Sequence, residues 1–273
     1  MTPQVELVVN AYERTYRDVL GGGLFTQVEA DNRFRFAQRT ALVNNVLDRA
    51  DADRRARELL ATGEIDRYAF VEDRLPDALS ATGLSPRDLG RIPHYSDAPL
   101  VGVTLEGPPW VLYWDAGIRM SEPGDWITPS VAAMGRDSRI LIANPRWSDP
   151  TLERETIEHD GDFALGHGFS DQVFLARRDE LARPIYGQRC LSSWRYPLAH
   201  VGRVFEARVD SWMRHHDRLR ATYVRARYVH PPGDAGLSYP DVTARERLRW
   251  YRNQAALALL GRSPWKPYCC RYM

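Results

Sequence analysis

Cysteine is nearly missing from this chain: 273 residues contain only Cys190, Cys269 and Cys270. Two of the three are adjacent, a spacing that suits neither a disulfide framework nor a zinc site with separated ligands. A reducing compartment, the cytoplasm, is therefore expected. Long apolar runs are missing too. No stretch approaches the ~18 apolar residues of a membrane span, and Met1 to Pro3 leads straight into a strand-like segment, so neither a transmembrane segment nor a signal peptide is expected. There is no internal repeat, no low-complexity tract and no obvious linker. The formal net charge is only +1, which gives the whole chain no pull toward nucleic acid or an acidic membrane. The charge is nevertheless uneven, with thirteen arginines against six acidic residues between Trp194 and Arg262. Such a stretch is either a solvated helix face or a patch that attracts phosphate-bearing ligands, an anionic acceptor or a membrane surface.

What is present is an ordinary globular balance, 44% hydrophobic and 27% charged, enough for one large α/β domain without staples. Strand-like and helix-like segments alternate. Val5 to Val9, Thr40 to Val46, Tyr68 to Val71, Trp110 to Trp114 and Arg139 to Ala143 read as strands. Thr15 to Leu20, broken by Gly21-Gly22-Gly23, and Asp51 to Ala61, stopped by Gly63, read as helices. That alternation predicts a mostly parallel sheet flanked by helices. Pro145 to Phe169 reads as loops around a short helix, and Gln172 to Ala176 as a strand. Val201 to Arg214 reads as a helix and Leu219 to Val229 as an extended segment. A closing helix is signalled by the capping box Thr243/Glu246 and by Gly261 as its stop.

In an open parallel sheet the ligand crevice lies beyond the strand C-termini, so the residues there are the candidates for chemistry. They are Asn10, Tyr12, Glu13 and Arg14 after the first strand, then Asn44, Asn45, Asp48, Arg49 and Asp51 after the second. Glu72 and Asp73 follow the third strand, and Asp115, Ala116 and Gly117 the fourth. Turns favour Asn and Asp in any case; their recurrence at four strand ends is what points to a ligand. The histidines divide similarly: His215-His216 sit where helix-end carbonyls attract them, and His159 and His167 lie in the glycine-containing loop. Trp110, Trp114, Trp126 and Trp147 are either core or a stacking surface for a sugar.

These segments, in this order, resemble the GT-A fold glycosyltransferases, nearest to the family-two type. Val8-Val9-Asn10-Ala11-Tyr12-Glu13-Arg14 is similar to the entry to the family's donor site. Val43 to Asp51 is similar to its strand, acidic turn and helix start. Val111 to Gly117 resembles the strand that carries the acidic DxD motif, with Gly117 in place of the second acid. Val204 to Asp210 looks like the helix start bearing a catalytic carboxylate, with Ala207 where an Asp is common. Tyr228-Val229-His230 resembles the strand-ending histidine of the metal site. The resemblance covers residues 5 to 230.

The resemblance implies a GT-A, Rossmann-like domain over 1–232, with 233–273 as a C-terminal helical extension packed on it. It implies an enzyme that moves a sugar from a nucleoside diphosphate sugar to an acceptor hydroxyl. Asn10, Tyr12, Arg14, Asn45, Asp48, Asp73 and Asp115 would hold the donor, and Asp115 with His230 would bind Mg²⁺ or Mn²⁺, weakly because of Gly117. Metal-independent transfer, with arginines offsetting the leaving-group charge, stays open. Glu206 is expected to be the ionised general base of an inverting displacement, with Asp171 and Asp210 as the other candidates. A salt bridge from Glu206 to Arg203 or Arg208 is the structural alternative. A sugar-phosphate nucleotidyltransferase and a non-catalytic sugar-nucleotide-binding protein are the competing functions. The donor base, sugar, acceptor and oligomeric state are not legible.

Overall fold

The computed structural model describes residues 2–147, 152–153, 155–230 and 241–260. Ten strands form in chain order: β1 (Val5–Tyr12), β2 (Gln38–Asn44), β3 (Arg67–Phe70), β4 (Trp110–Asp115), β5 (Arg119–Met120), β6 (Ile140–Arg146), β7 (Thr156–Asp160), β8 (Phe163–Gly166), β9 (Val173–Arg177) and β10 (Leu219–Val229). They make one sheet in the order β3-β2-β1-β4-β9-β6-β10-β8-β7, with β5 paired to β10 off that path. Strands β1 to β4 are mutually parallel, and β6 runs parallel to β10. Strand β9 is inserted antiparallel between β4 and β6. Seven of the ten strands point one way and β5, β8 and β9 the other, so the expectation of a mostly parallel sheet holds.

Both faces of the central strands are buried, which is why these strands read as continuous apolar runs. Along β1, Val5, Leu7, Val9 and Ala11 face one core with Phe25, Val28, Ala52 and Ala56. Val8 faces the other core with Leu42, Val71, Leu79 and Leu100. The same period of two places Leu112 and Trp114 of β4 in the first core and Val111 and Tyr113 in the second. Helices Leu24–Asn32, Arg49–Thr62 and Ile127–Arg136 cover the first face; Val71–Thr82, Asp97–Thr104 and Phe205–His215 cover the second. Among the described residues, no helix is long and apolar enough to cross a membrane.

Several expectations need correction. Pro145 to Phe169 does contain a helical stretch, at residues 152, 153 and 155, but the rest is not loops: β6 runs to Arg146, and β7 and β8 form a hairpin turning at Gly161, whose φ of 56° suits glycine. Its residues alternate weakly because β7 is an edge strand with only one neighbour. The second strand ends at Asn44, and Asn45 turns away with φ 47°. Val71 opens a helix rather than closing β3. The helices at Leu24–Asn32, Val71–Thr82, Asp97–Thr104 and Ile127–Arg136 were not marked in the sequence. Cys190 is buried and disulfide-bonded, against the expectation of no disulfide.

The capping box at the last helix, Ala244–Leu260, forms as expected: Thr243 Oγ1 bonds Glu246 Oε2 at 2.8 Å, and the Glu246 amide donates back at 3.3 Å. Gly261 lies outside the described residues. The helix is tied to the rest of the chain by Arg249 donating to the His200 carbonyl at 3.2 Å and by Arg91 pairing with Glu246 at 3.3 Å.

At the sheet edge formed by the strand N-termini, Glu6 is fully buried and carries the charge of a small network. Arg67 pairs with its Oε1 at 2.6 Å, and Thr40 and Arg178 bond it as well. Arg178 also donates to the carbonyls of Gly102, Leu105 and Pro108, at 2.9, 2.6 and 3.0 Å. One carboxylate thus joins β1, β2, β3, the segment after β9 and the end of the Asp97–Thr104 helix. Removing one partner of a buried pair costs about 3–5 kcal/mol, because the other charge is left uncompensated. Glu6→Ala is expected to lose stability of that order in urea unfolding while the sheet persists; a loss below about 1 kcal/mol would show the network to be dispensable.

Candidate active site

The strand C-termini bring part of the expected set together. Asn10 lies in register with Leu42 on one side and Asp115 on the other, and Tyr12 with Asn44. Among the described residues, Asn10 Oδ1 is buried without a hydrogen-bond partner, an acceptor oxygen awaiting a donor. Asn45 reaches across to Asn44 Oδ1 at 2.9 Å and to Asp97 Oδ2 at 3.4 Å. Asp115 accepts from the Gly117 amide at 2.7 Å. Its own amide donates to the Gln172 carbonyl at 2.7 Å, extending the β4–β9 ladder.

Other expected donor ligands stand apart. Asp48 is exposed and caps the Arg49–Thr62 helix, accepting from the Asp51 amide at 2.9 Å. Asp73 pairs with Arg49 at 2.5 Å on the exposed flank beyond β3. Arg14 is exposed in the turn after β1. His230 follows β10, one place beyond the antiparallel pair Val229–Arg119, so the register sets it beside Ile118, three residues after Asp115.

The carboxyls converge where β9 begins. Phe205, at the start of its helix, packs against Phe169, Phe174 and Tyr186 at ring distances of 5.4, 6.1 and 5.6 Å. This aromatic wedge brings Glu206 to the Phe169–Gln172 loop, where the Asp171 amide donates to Glu206 Oε1 at 3.2 Å. The loop is held further by Tyr196, whose hydroxyl accepts from the Phe169 amide at 2.8 Å. From the end of β10, the Tyr228 hydroxyl donates to Gln172 Oε1 at 3.1 Å.

Two electrostatic effects then set the charge states. Loss of water and the nearby charge of Asp115 raise the Asp171 carboxyl to about 6. Loss of water, and then Asp171 itself, push Glu206 well above the usual carboxylate range. Glu206 therefore holds its proton to higher pH than Asp171, to which it is hydrogen-bonded. Both effects act against the ionised Glu206 expected from its helix position. The expected bridges are absent too: Arg203 bonds the carbonyls of Tyr186 and Gly187 at 3.2 and 3.3 Å, and Arg208 those of Arg203 and Tyr186, both at 3.0 Å.

Asp210, the third candidate base, is fully buried between Arg195 at 2.7 Å and Arg214 at 3.1 Å, with Ser193 donating at 2.7 Å. These partners hold it ionised, well below the usual range. With no exposed oxygen to take a proton from a substrate, it anchors Arg195 instead.

Asp171 and Glu206 line a cavity of about 330 Å³ whose other walls carry Asn144, Arg146, Arg195 and Arg220. A separate hollow of about 280 Å³ lies by the glycine turn and is lined by Gly22, Gly23, Ala116 and Arg119. Of the tryptophans, Trp114 and Trp126 are core, and Trp147 is half-exposed at the cavity. Sequence reasoning missed Asp97, Arg146, Arg195, Arg220 and Tyr228. Only Asp97 carried a local signal, the helix-start pattern Ser96-Asp97 before an apolar run.

No protein-family model matches the chain, and no curated protein matches it in sequence. In structure, the chain is similar to GalNAc-T7 in its complex with UDP, GalNAc and Mn²⁺, with a TM-score of 0.52 at 9% identity over 92% of this chain and 50% of that one. A mannosyltransferase from Pyrobaculum calidifontis, in complex with GDP-Man and Mn²⁺, aligns with a TM-score of 0.49 at 11% identity over 95% of this chain and 75% of that one. The chain thus spans about half the length of GalNAc-T7. The fold is that of the GT-A glycosyltransferases.

Asp97 offers a test of the electrostatics. It is 5% exposed, accepts from Asn44 Nδ2 at 3.0 Å and from the Ala98 amide at 2.6 Å, and burial raises its carboxyl to about 6. A folded-state value above the unfolded one means the protonated form fits the native state. Its contribution is complete below about pH 4 and is lost as pH rises through about 6. Asp97→Asn, which cannot ionise, should gain on the wild type over that window, by up to about 3 kcal/mol, and the difference should then level off. Urea unfolding of both proteins at several pH values checks this; a difference independent of pH would contradict it.

Proposed function

We propose that the chain is a nucleotide-sugar-dependent glycosyltransferase in which Asp171 is the general base of an inverting displacement. One observation carries the reading. On a GT-A fold, at the rim formed by the strand C-termini, a carboxyl raised to about 6 faces a cavity next to the Asp115 turn. The donor lies along Asn10, Tyr12, Asn45 and Asp115, where amide and carboxylate groups can meet ribose hydroxyls and the N–H groups of a base. GalNAc-T7 carries UDP, GalNAc and Mn²⁺, which supports a nucleoside diphosphate donor here.

In the displacement, the acceptor hydroxyl oxygen attacks the anomeric carbon as the bond from that carbon to the diphosphate oxygen breaks. The hydroxyl proton passes to Asp171. A base with a value near 6 is ionised at pH 7 yet still basic enough to take a developing proton. Glu206, neutral, donates to Asp171 and fixes its orientation; Asp210 acts at one remove, through Arg195. Asp48 and Asp73 are the weakest members of the donor set, because a helix cap and an ion pair already occupy them.

A divalent cation fits the residues present only in part. Among the described residues, no three of His, Cys, Asp and Glu are placed to hold a metal. After loss of water, the charge of Asp115 is the next cause that raises Asp171, and a cation relieves such repulsion. Asp115 and His230 would hold it, with diphosphate oxygens and water completing the shell, as Mg²⁺ sites commonly do. When bound it would offset charge on the leaving diphosphate.

A panel of UDP, GDP, dTDP, CDP and ADP sugars, each with Mn²⁺ and with EDTA, is expected to contain one that stabilises the protein. A ligand at a hundred times its Kd adds ~2.7 kcal/mol. The absence of any thermal shift and of any calorimetric heat across the panel would refute the donor reading.

Turnover is expected to rise as Asp171 ionises through about pH 6 and to stay level above it. Asp171→Asn should cut kcat by about 10²–10⁴ with donor affinity retained, whereas Glu206→Gln, which still donates, should stay within about tenfold of wild type. If Glu206→Gln is the dead variant and Asp171→Asn the active one, the two roles are reversed.

A further inference from the structure

The Ala244–Leu260 helix turns a largely polar face toward the rest of the chain. Glu246 and Asn253 are buried on that face, and Arg249, Ala256 and Leu257 are half-buried beside them. Its attachments are polar as well: Arg91 pairs with Glu246 at 3.3 Å, and Arg249 donates to the His200 carbonyl at 3.2 Å. The opposite face carries Leu248, Tyr251, Ala255 and Leu259, three or four residues apart and so aligned along one stripe. Leu248 is 71% exposed, Tyr251 65% and Leu259 90%. A helix surrounded only by water and its own protein places its apolar stripe against the core. This one leaves the stripe outside, which marks a surface that meets an apolar partner.

Charge indicates which partner. Exposed Arg245 and Arg252 lie along one side of the stripe and exposed Arg247 along the other. The one acid of the helix, Glu246, is buried against Arg91 and offers these arginines nothing. A second copy of the chain docked through this face would set arginine rows against arginine rows. Residues 261–273, which follow in the sequence, add Arg262, Lys266 and Arg271 and no acid, so they do not complement the face either. An anionic bilayer surface does. Leucine and aromatic side chains settle at the boundary with the acyl chains, while guanidinium groups meet lipid phosphates. Trp250, exposed beside Tyr251 with ring centres 5.0 Å apart, is of the ring type that favours this boundary.

We infer that the Ala244–Leu260 helix is a docking surface for an anionic phospholipid membrane, lying in the plane of the headgroups. The helix packs against Leu191–Arg195, the segment that carries Arg195 to the 330 Å³ cavity, so the docked surface and the candidate active site share one support. Vesicle binding is read without donor or turnover, so the inference does not depend on the transferase reading.

The test floats the full chain with vesicles of phosphatidylcholine alone and with vesicles of phosphatidylcholine mixed equally with phosphatidylglycerol. Each arginine near an anionic surface is worth about fivefold in affinity. The mixed vesicles are therefore expected to bind at least about tenfold more tightly than the neutral ones, and added salt to weaken that binding. Arg245→Gln with Arg247→Gln should lose at least about tenfold, and so should Leu248→Ser with Leu259→Ser. Tm should stay unchanged in both, because all four side chains already face outward. No flotation, binding no tighter to the mixed vesicles than to the neutral ones, or folded variants that bind as well as wild type would each overturn the inference. So would a dimer that Leu248→Ser with Leu259→Ser dissociates while vesicles go unbound, since the face would then belong to a second copy.

Discussion

Main-chain pairing between β4 and β9 forces negative charges together. The Asp115 amide bonds the Gln172 carbonyl at 2.7 Å, so the end of one strand and the start of its antiparallel neighbour are fixed side by side. Each brings a carboxyl, Asp115 and Asp171, and the Phe205–His215 helix adds Glu206 from the second core. Nothing in the side chains favours this crowding; the backbone imposes it. Burial first, and this crowding second, raise Asp171 and Glu206.

Such a site needs stiff walls, and two buried ion networks supply them from opposite ends of the sheet. At the strand N-termini, Glu6 with Arg67 and Arg178 joins the first three strands to the segment after β9. On the site side, Asp210 with Arg195, Arg214 and Ser193 ties the Phe205–His215 helix to the segment before it. Neither is strong evidence for net stability, since desolvation offsets much of the attraction. Their effect is geometric: they fix which residues face the cavity, and a site held within fractions of an ångström is what positioned chemistry requires.

The sequence made the parallel half of the fold legible because its strands are long apolar runs between turn residues, and β1, β2, β4 and β6 were all visible that way. The β7–β8 hairpin was not, because an edge strand such as Thr156–Asp160 carries charge and threonine in place of an apolar run. The Val71–Thr82 and Asp97–Thr104 helices were hidden by Pro76 and by an almost wholly apolar, buried face, neither of which gives a clean helical period. The places of Asn10, Asn45 and Asp115 at strand ends could be anticipated from the sequence. Asp48 and Asp73 met the same criterion and became a cap and an ion pair, since a residue one turn past the strand serves the following helix. The arginine wall was not legible at all. Arg195 and Arg220 stand 25 positions apart and come together at Gly168, because β10 pairs with β8 and sets Arg220 opposite Gly166.

The division of charge between Asp171 and Glu206 shows which local effect governs the site. A place in the first turn of a helix favours a carboxylate by about 0.3–1 kcal/mol, and by ~2 kcal/mol in the best partly buried cases. Removing water from a carboxylate, with another carboxylate alongside, costs several kcal/mol after relaxation. The larger effect prevails, so Glu206 keeps its proton to higher pH than its helix position alone would give, and Asp171 ionises before it. Two carboxyls placed together in one dry pocket cannot both be ionised at little cost. The one with the hydrogen bond to give becomes the donor, and the other is left to accept a proton from outside the pair.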